Sequence, residues 1–141
     1  MGTEITVRLV RSWDSREIAD LYRAGGWWKE EYSEKDLPAL ISGSYLFAVA
    51  VREPGCSAVG MGRVISDGVS DAYIQDLVVL PYFRGSGIGR QIVKVLLDEC
   101  RKNGLGWIGC IAEPDTEEFY TPLGFSRMDG HIPLLYRGGA K

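Results

Sequence analysis

Residues 78–100 read VVLPYFRGSGIGRQIVKVLLDEC: an apolar run suited to a strand, then three glycines and two arginines, then a run patterned as a helix. From Gly87 the hydrophobic period changes. Ile88, Ile92, Leu96 and Val93, Leu97, Cys100 recur at four- and three-residue spacing until Asn103-Gly104 ends the helix. A strand feeding a glycine-rich turn that opens a helix presents unpaired backbone N–H groups at the positive end of the helix dipole, a setting for an anion, most often phosphate. The competing reading is a tight turn that needs glycine for positive φ and nothing more. Neither better-known phosphate loop fits. Walker A requires Gly-Lys-Ser/Thr where the chain has Gly89-Arg90-Gln91, and the dinucleotide fingerprint requires a third glycine where Ile92 stands.

Outward from this junction the pattern is consistent with one α+β or mixed α/β sheet. EITVRLV alternates as a strand. DSREIADLYRAGG opens with a capping residue, carries Ile18, Leu21 and Tyr22 on one helical face and stops at glycines; SEKDLPALISGS is a second short helix capped by Ser33. Three strand-like runs follow, YLFAVAV, AVGMGRVIS and AYIQDLVVL, separated by the turns EPGC and DGVS, as in an antiparallel meander. After the helix, LGWIGCIA is one more strand, PDTEEFYTPLGF a short helix and turn, and SRMDGHIPLLY a closing hairpin around Asp129-Gly130. Repeats, low-complexity segments and linkers are lacking.

Composition narrows the function. At 141 residues, 45% hydrophobic, the chain can bury one core, so residues 1–141 are expected to form a single domain. A net charge of -3 without a basic arm argues against nucleic acid and favours a small-molecule partner. The apolar stretch YLFAVAV is too short to span a bilayer, and MGTEITVRLV lacks the regions of a signal peptide, so the expectation is a cytoplasmic protein without a membrane partner. Cys56, Cys100 and Cys110 are odd in number and lack CxxC spacing, so neither a disulfide framework nor a metal site is indicated; burial as small apolar residues is the expected role.

Arg84, Gly87 and Gly89 meet the pattern Gln/Arg-x-x-Gly-x-Gly/Ala, and the chain here resembles the acetyl-coenzyme A loop of the GNAT family of N-acetyltransferases. The preceding IQDLVVLP resembles the family's fourth strand, and EEFYTPLGF at 117–125 resembles its downstream F-Y-x-x-x-G-F signature, in the right order over residues 58–128. More loosely, GRVISDG and GWW resemble the subgroup that includes serotonin N-acetyltransferases of cyanobacteria and plants. The resemblance implies a single-domain GNAT fold with a mixed, mostly antiparallel sheet flanked by helices. It also implies transfer of acetyl from acetyl-coenzyme A, as co-substrate, to a primary amine by direct attack, without a metal. A homodimer is possible, since the family often forms dimers. A non-enzymatic acyl-coenzyme A binding or sensing domain is the alternative; it would keep the loop but need no acid.

The resemblance also distributes roles. The backbone of Gly85, Ser86, Gly87, Ile88, Gly89 and Arg90 would take the pyrophosphate, with Arg84 and Arg90 adding charge. The backbone of Leu77, Val78 and Val79 would pair with the pantetheine arm where strand four leaves strand five, and an N–H near Val78 or Val79 would be the oxyanion donor. Tyr120 would be the general acid for the thiolate, a role a phenol with a reference pKa of about 10 can fill. Asp76, inside the apolar run Ile74 to Leu80, needs a partner or water; a base facing a cleft and an ion pair with Arg63 on the neighbouring strand are both open. Strand alternation puts Tyr73 and Gln75 on the face opposite Asp76, although some family members place their catalytic carboxylate at the position of Tyr73. His131 reads as a turn residue. Trp27, Trp28 and Tyr32, between the first two helices, are candidates for an aromatic wall against the amine, or for ordinary lid packing.

Overall fold

A computed structural model describes residues 4–139 of the chain, which divides into a unit up to Cys110 and a second unit from Ile111 onward. The first unit holds a five-stranded sheet in the order β1 (Glu4–Leu9), β2 (Leu46–Glu53), β3 (Ser57–Ser66), β4 (Asp71–Val79) and β5 (Trp107–Cys110). The first four strands pair antiparallel, and β4 pairs β5 in parallel. That is the mixed, mostly antiparallel sheet the sequence implied.

Helix α1 (Ser15–Ala24) starts where the Asp14 side chain accepts the Glu17 N–H, and it turns Ile18, Ala19, Leu21 and Tyr22 into the core. Glu17 then locks it to the sheet, its carboxylate accepting from Trp13 Nε1 at 2.8 Å and from the Ala58 N–H at 2.9 Å. Ser33 caps a 3-10 turn at Glu34–Asp36 that runs into α2 (Leu37–Gly43), whose C-terminal carbonyls at Ser42 and Ser44 accept from Arg11. In the DGVS turn, Asp67 accepts the Val69 and Ser70 N–H groups; these donors, Ser70 first, hold its carboxyl below the usual range. The opposite sheet face carries α3 (Ile88–Lys102), which buries Ile88, Ile92, Val93, Leu96 and Cys100. Burial raises the thiol of Cys100 above its ordinary value, in keeping with an inert packing residue, whereas Cys110 is half-buried and Cys56, in the turn between β2 and β3, is exposed, so the burial expected of all three holds fully for Cys100 alone.

Two differences from the sequence reading are instructive. In β4, Val78 pairs with Met61 but Gln75 pairs with Arg63, so three steps of β4 oppose two of β3. The extra residue is accommodated at Asp76, whose φ of 59° is left-handed. This bulge breaks the alternation. Gln75 and Tyr73 therefore lie on the α1 and α2 face together with Arg63, Ile65 and the Asp76 carboxylate, not opposite it. The second difference is at residues 126–136, where no hairpin forms: the chain turns at Asp129-Gly130, with the His131 N–H donating to Met128 O at 3.0 Å, but no strand is present among the described residues beyond Cys110. Pro133 has no N–H for a ladder, and an isolated pair of strands is marginal in water. Otherwise the second unit contains α4 (Glu117–Tyr120) and a 3-10 turn, Thr121–Leu123, as the sequence suggested.

The sheet accepts α3 at close range because β3 presents Gly60 and Gly62 beneath it. A Cβ at Gly62 would stand 3.0 Å from Ile92 Cγ2 and 3.3 Å from Leu96 Cδ1. Gly62→Val should therefore overpack this seam and lower stability by about 1–3 kcal/mol in urea unfolding. Gly43→Ala, whose Cβ meets nothing within 4 Å, should leave the midpoint unchanged or raise it.

Candidate active site

The glycine-rich loop has the shape its sequence suggested. Gly85 and Gly87 take φ of 83° and 88°, and Gly87 is the left-handed residue from which α3 departs. The Gln91 N–H makes the first helical bond, to Gly87 O at 3.1 Å. Among the described residues, no backbone or side-chain acceptor pairs with the N–H groups of Gly85, Ser86, Gly87, Ile88, Gly89 or Arg90. A Cβ at Gly85 or Gly87 would meet nothing within 4 Å, so there is room for an anion against this backbone. These residues fit a pyrophosphate. Arg84 does more than contribute charge: its Nε donates to Val79 O at 2.8 Å and its Nη2 to Ala24 O at 3.4 Å, tying the loop to the end of β4 and to α1. Ser86 Oγ donates to Phe83 O at 2.8 Å, within the turn, while the Arg90 side chain is exposed.

The strand leading into the loop has an open edge. Residues 71–74 of β4 pair with 107–110 of β5 and the ladder ends there, while β4 continues through Leu77, Val78 and Val79. On its other side this stretch remains bonded to β3. Backbone amides left unpaired on one edge next to an apolar sheet accept an extended, amide-bearing partner.

Asp76 sits at the centre of a partly buried polar cluster. Its Oδ2 accepts from Tyr22 Oη at 2.7 Å and from Arg63 Nε at 2.7 Å. Arg63 reaches on to Ser44 Oγ at 3.4 Å, and Ser44, almost fully buried, donates to Leu40 O at 2.7 Å. The ion pair with Arg63 is thus present. Asp76 Oδ1 accepts no bond among the described residues. Burial, then the neighbouring carboxylate, hold the Tyr22 phenol far above its ordinary range, so it stays a donor. Sequence reasoning placed Tyr22 only on the apolar face of α1; its signal was a hydroxyl at a core position facing a strand with a single buried acid.

The aromatic residues after α1 form a cluster with their own cations. Trp28 and Tyr32 meet edge to face at 5.6 Å, and Tyr22 lies 6.3 Å from Trp27 and 6.4 Å from Trp28. Arg23 stands 5.3 Å over Trp28 and Lys29 5.9 Å over Tyr32. Trp27 lies across Gly25, where a Cβ would come within 2.6 Å of its ring, and both tryptophans pack against the core.

In the second unit, Tyr120 ends α4 with its ring between Phe119 at 4.9 Å and Phe125 at 5.5 Å, both edge to face. Gly124, at φ 101°, turns the chain so that Phe125 comes back, and the Phe125 N–H donates to Tyr120 O at 3.3 Å. This is what the spacing F-Y-x-x-x-G-F produces locally. His131 is an exposed turn residue, its Nδ1 3.1 Å from Asp129 O. Among the described residues, no group of three or more histidine, cysteine or acidic side chains could hold a metal, and no helix is long and apolar enough to cross a membrane.

Residues 19–132 match the family model described as an acetyltransferase (GNAT) domain. An uncharacterised N-acetyltransferase of Pyropia yezoensis, ycf52, is 29% identical over 77% of this chain, which spans 63% of that protein. Serotonin N-acetyltransferase 2 of Oryza sativa subsp. japonica is 39% identical over 58% of the chain, the match covering 39% of its length. Among solved structures, a GNAT-family acetyltransferase from Streptococcus pneumoniae TIGR4 superposes with a TM-score of 0.78 at 26% identity, covering 96% of this chain and 98% of that one. An aminoglycoside N-acetyltransferase in complex with coenzyme A superposes with a TM-score of 0.73 at 14% identity, covering 98% of each chain. With its mixed sheet, glycine-opened third helix and matched domain, this chain belongs to the GNAT family of acetyltransferases.

Proposed function

We propose that the chain transfers an acetyl group from acetyl-coenzyme A to a primary amine, and that residues 1–141 act together as one acetyltransferase domain. The observation that carries the reading is the run of six unpaired N–H groups at the start of α3, continuous with the open edge of β4. The family match crosses from the first unit into the second, which supports treating them as one domain. A relative named for serotonin, an amine, supports an amine as acceptor.

In this reading the backbone of residues 85–90 holds the pyrophosphate, and Leu77, Val78 and Val79 hold the pantetheine amides on their free edge. An N–H of Val78 or Val79 stabilises the oxygen of the tetrahedral intermediate as the amine nitrogen bonds to the carbonyl carbon. Asp76 Oδ1 faces the attacking amine and takes its proton directly or through water, while Tyr22 and Arg63 keep the other oxygen engaged. As the carbon–sulfur bond breaks, Tyr120 gives its proton to the thiolate. The assignment of Tyr120 rests on family resemblance.

Gly87→Val adds a side chain where the anion must approach and forces a β-branched residue to a left-handed φ. Affinity for coenzyme A, measured by calorimetry on the folded variant, should fall at least tenfold; unchanged affinity rules out the loop. Tyr120→Phe keeps the ring contacts and removes the donor, so turnover should fall about 10²- to 10⁴-fold with coenzyme A affinity intact. A folded variant as fast as the parent, with chemistry rate-limiting, assigns the proton elsewhere. Asp76→Asn retains tolerance of the left-handed backbone but unpairs Arg63, so it should lower stability by about 1–3 kcal/mol and turnover at least tenfold. Tyr22→Phe, which leaves Oδ1 untouched, should lower stability without a comparable loss of rate; equal loss of rate in both variants makes Asp76 structural. Release of free coenzyme A with an amine panel separates transfer from mere binding.

A further inference from the structure

Ser44, between α2 and β2, is almost fully buried, at 3% of its full exposure, and a serine in such a place needs its hydroxyl engaged. Its backbone is pinned on both sides: the N–H donates to Ile41 O at 3.2 Å, and the carbonyl accepts from Arg11 Nη1 at 3.2 Å. The hydroxyl donates to Leu40 O at 2.7 Å. A hydroxyl carries one proton, so what it presents to Arg63 Nη1, 3.4 Å away, is a lone pair, and a guanidinium can only donate. The serine is therefore fixed as an acceptor for this arginine.

That contact bears on the carboxylate beyond it. An arginine left to itself takes a carboxylate with two parallel N–H groups, one to each oxygen, because its planar fork matches the two acceptors and both bonds are charge-assisted. Arg63 does not. Its Nε donates to Asp76 Oδ2 at 2.7 Å, Tyr22 Oη donates to the same oxygen at 2.7 Å, and Oδ1 is left without a bond among the described residues. The guanidinium is rigid, so holding Nη1 at Ser44 fixes the other two nitrogens as well. Turning it to bring a second N–H onto Oδ1 would draw Nη1 away from the hydroxyl, and that buried oxygen would lose a partner.

We propose that Ser44 is a positioning residue: by holding Nη1 of Arg63 it confines the guanidinium to one oxygen of Asp76, so that Oδ1 stays open to take the proton of the attacking amine. This rests on the reading of Asp76 as the base and deepens it. Ser44 acts through Arg63 and takes no part in the bond changes.

The test follows coenzyme A release from acetyl-coenzyme A with 2-phenylethylamine and n-propylamine as acceptors. Ser44→Ala frees the fork to close on both oxygens, so kcat should fall about five- to tenfold with either amine, a fraction of what a general base supplies, while KM and coenzyme A affinity move by about twofold or less. In an Arg63→Lys background, where a single ammonium replaces the fork, Ser44→Ala should add no further loss. Urea unfolding of each variant separates rate from stability, since a serine that only supports the fold leaves the kcat of folded protein unchanged. If Ser44→Ala does not fold, Ser44→Cys, which keeps the volume but offers a weak acceptor, is measured in its place. Parental kcat in the folded variant, or an equal further loss in the Arg63→Lys background, overturns the positioning role; a slow Asp76→Asn in the same assay leaves the base reading standing. Parental rates in both Asp76→Asn and Ser44→Ala overturn the base reading and the positioning role together. No release with either amine from the parent protein overturns the transfer reading and everything that rests on it.

Discussion

One carboxylate held in an unfavourable backbone conformation organises the working face of this sheet. Asp76 is left-handed inside a strand, a conformation that costs an ordinary residue roughly 1–2 kcal/mol. It persists because Tyr22 from α1 and Arg63 from β3 both donate to one of its oxygens. Their bonds cross-link three elements at the point where β4 gains a residue, and the parallel ladder to β5 ends just before that point. The face shift of Tyr73 and Gln75 and the strand edge that runs on to the glycine loop are both centred on this bulge. Bulges beside functional sites commonly re-aim side chains in this way.

Much of this was legible in the chain. The change of period at Gly87, the glycines themselves and the spacing of FYTPLGF located the loop, α3 and the aromatic turn, because each is a local pattern with a local cause. The five strands and their order in sequence were readable for the same reason. What was not readable was non-local. Strand alternation is a rule for an unbroken ladder, and nothing in YIQDLVVL announces which residue will bulge until the length of β3 opposite is known. Tyr22 could be placed on the core face of α1 but not opposite Asp76, 54 residues away. The hairpin expected at 126–136 shows the reverse failure: the turn chemistry of Asp129-Gly130 operated, but a turn does not supply the ladder that strands need.

The aromatic residues teach a related lesson. Trp27, Trp28 and Tyr32 stand out in sequence because they are close together, whereas Ser44 and Arg63 are 19 positions apart and unremarkable singly. In three dimensions the near group is engaged with the core and with cations, and the distant pair is joined in the cluster around Asp76. Clustering along a chain reports local packing as readily as recognition.

The ties of Arg84 to the carbonyls of Val79 and Ala24 bear on the thermodynamics of binding. A loop of alternating glycines would otherwise sample many conformations, and ordering it around a diphosphate would subtract from affinity. Here the guanidinium clamps the loop from outside, so that conformational entropy is surrendered during folding instead of at the encounter. Two of its N–H groups are committed to the protein's own backbone, leaving the positive charge to act at longer range. In the proposed reading of this loop as a diphosphate site, the charge of Arg84 would add to the rate of capture, and that contribution would fall with ionic strength.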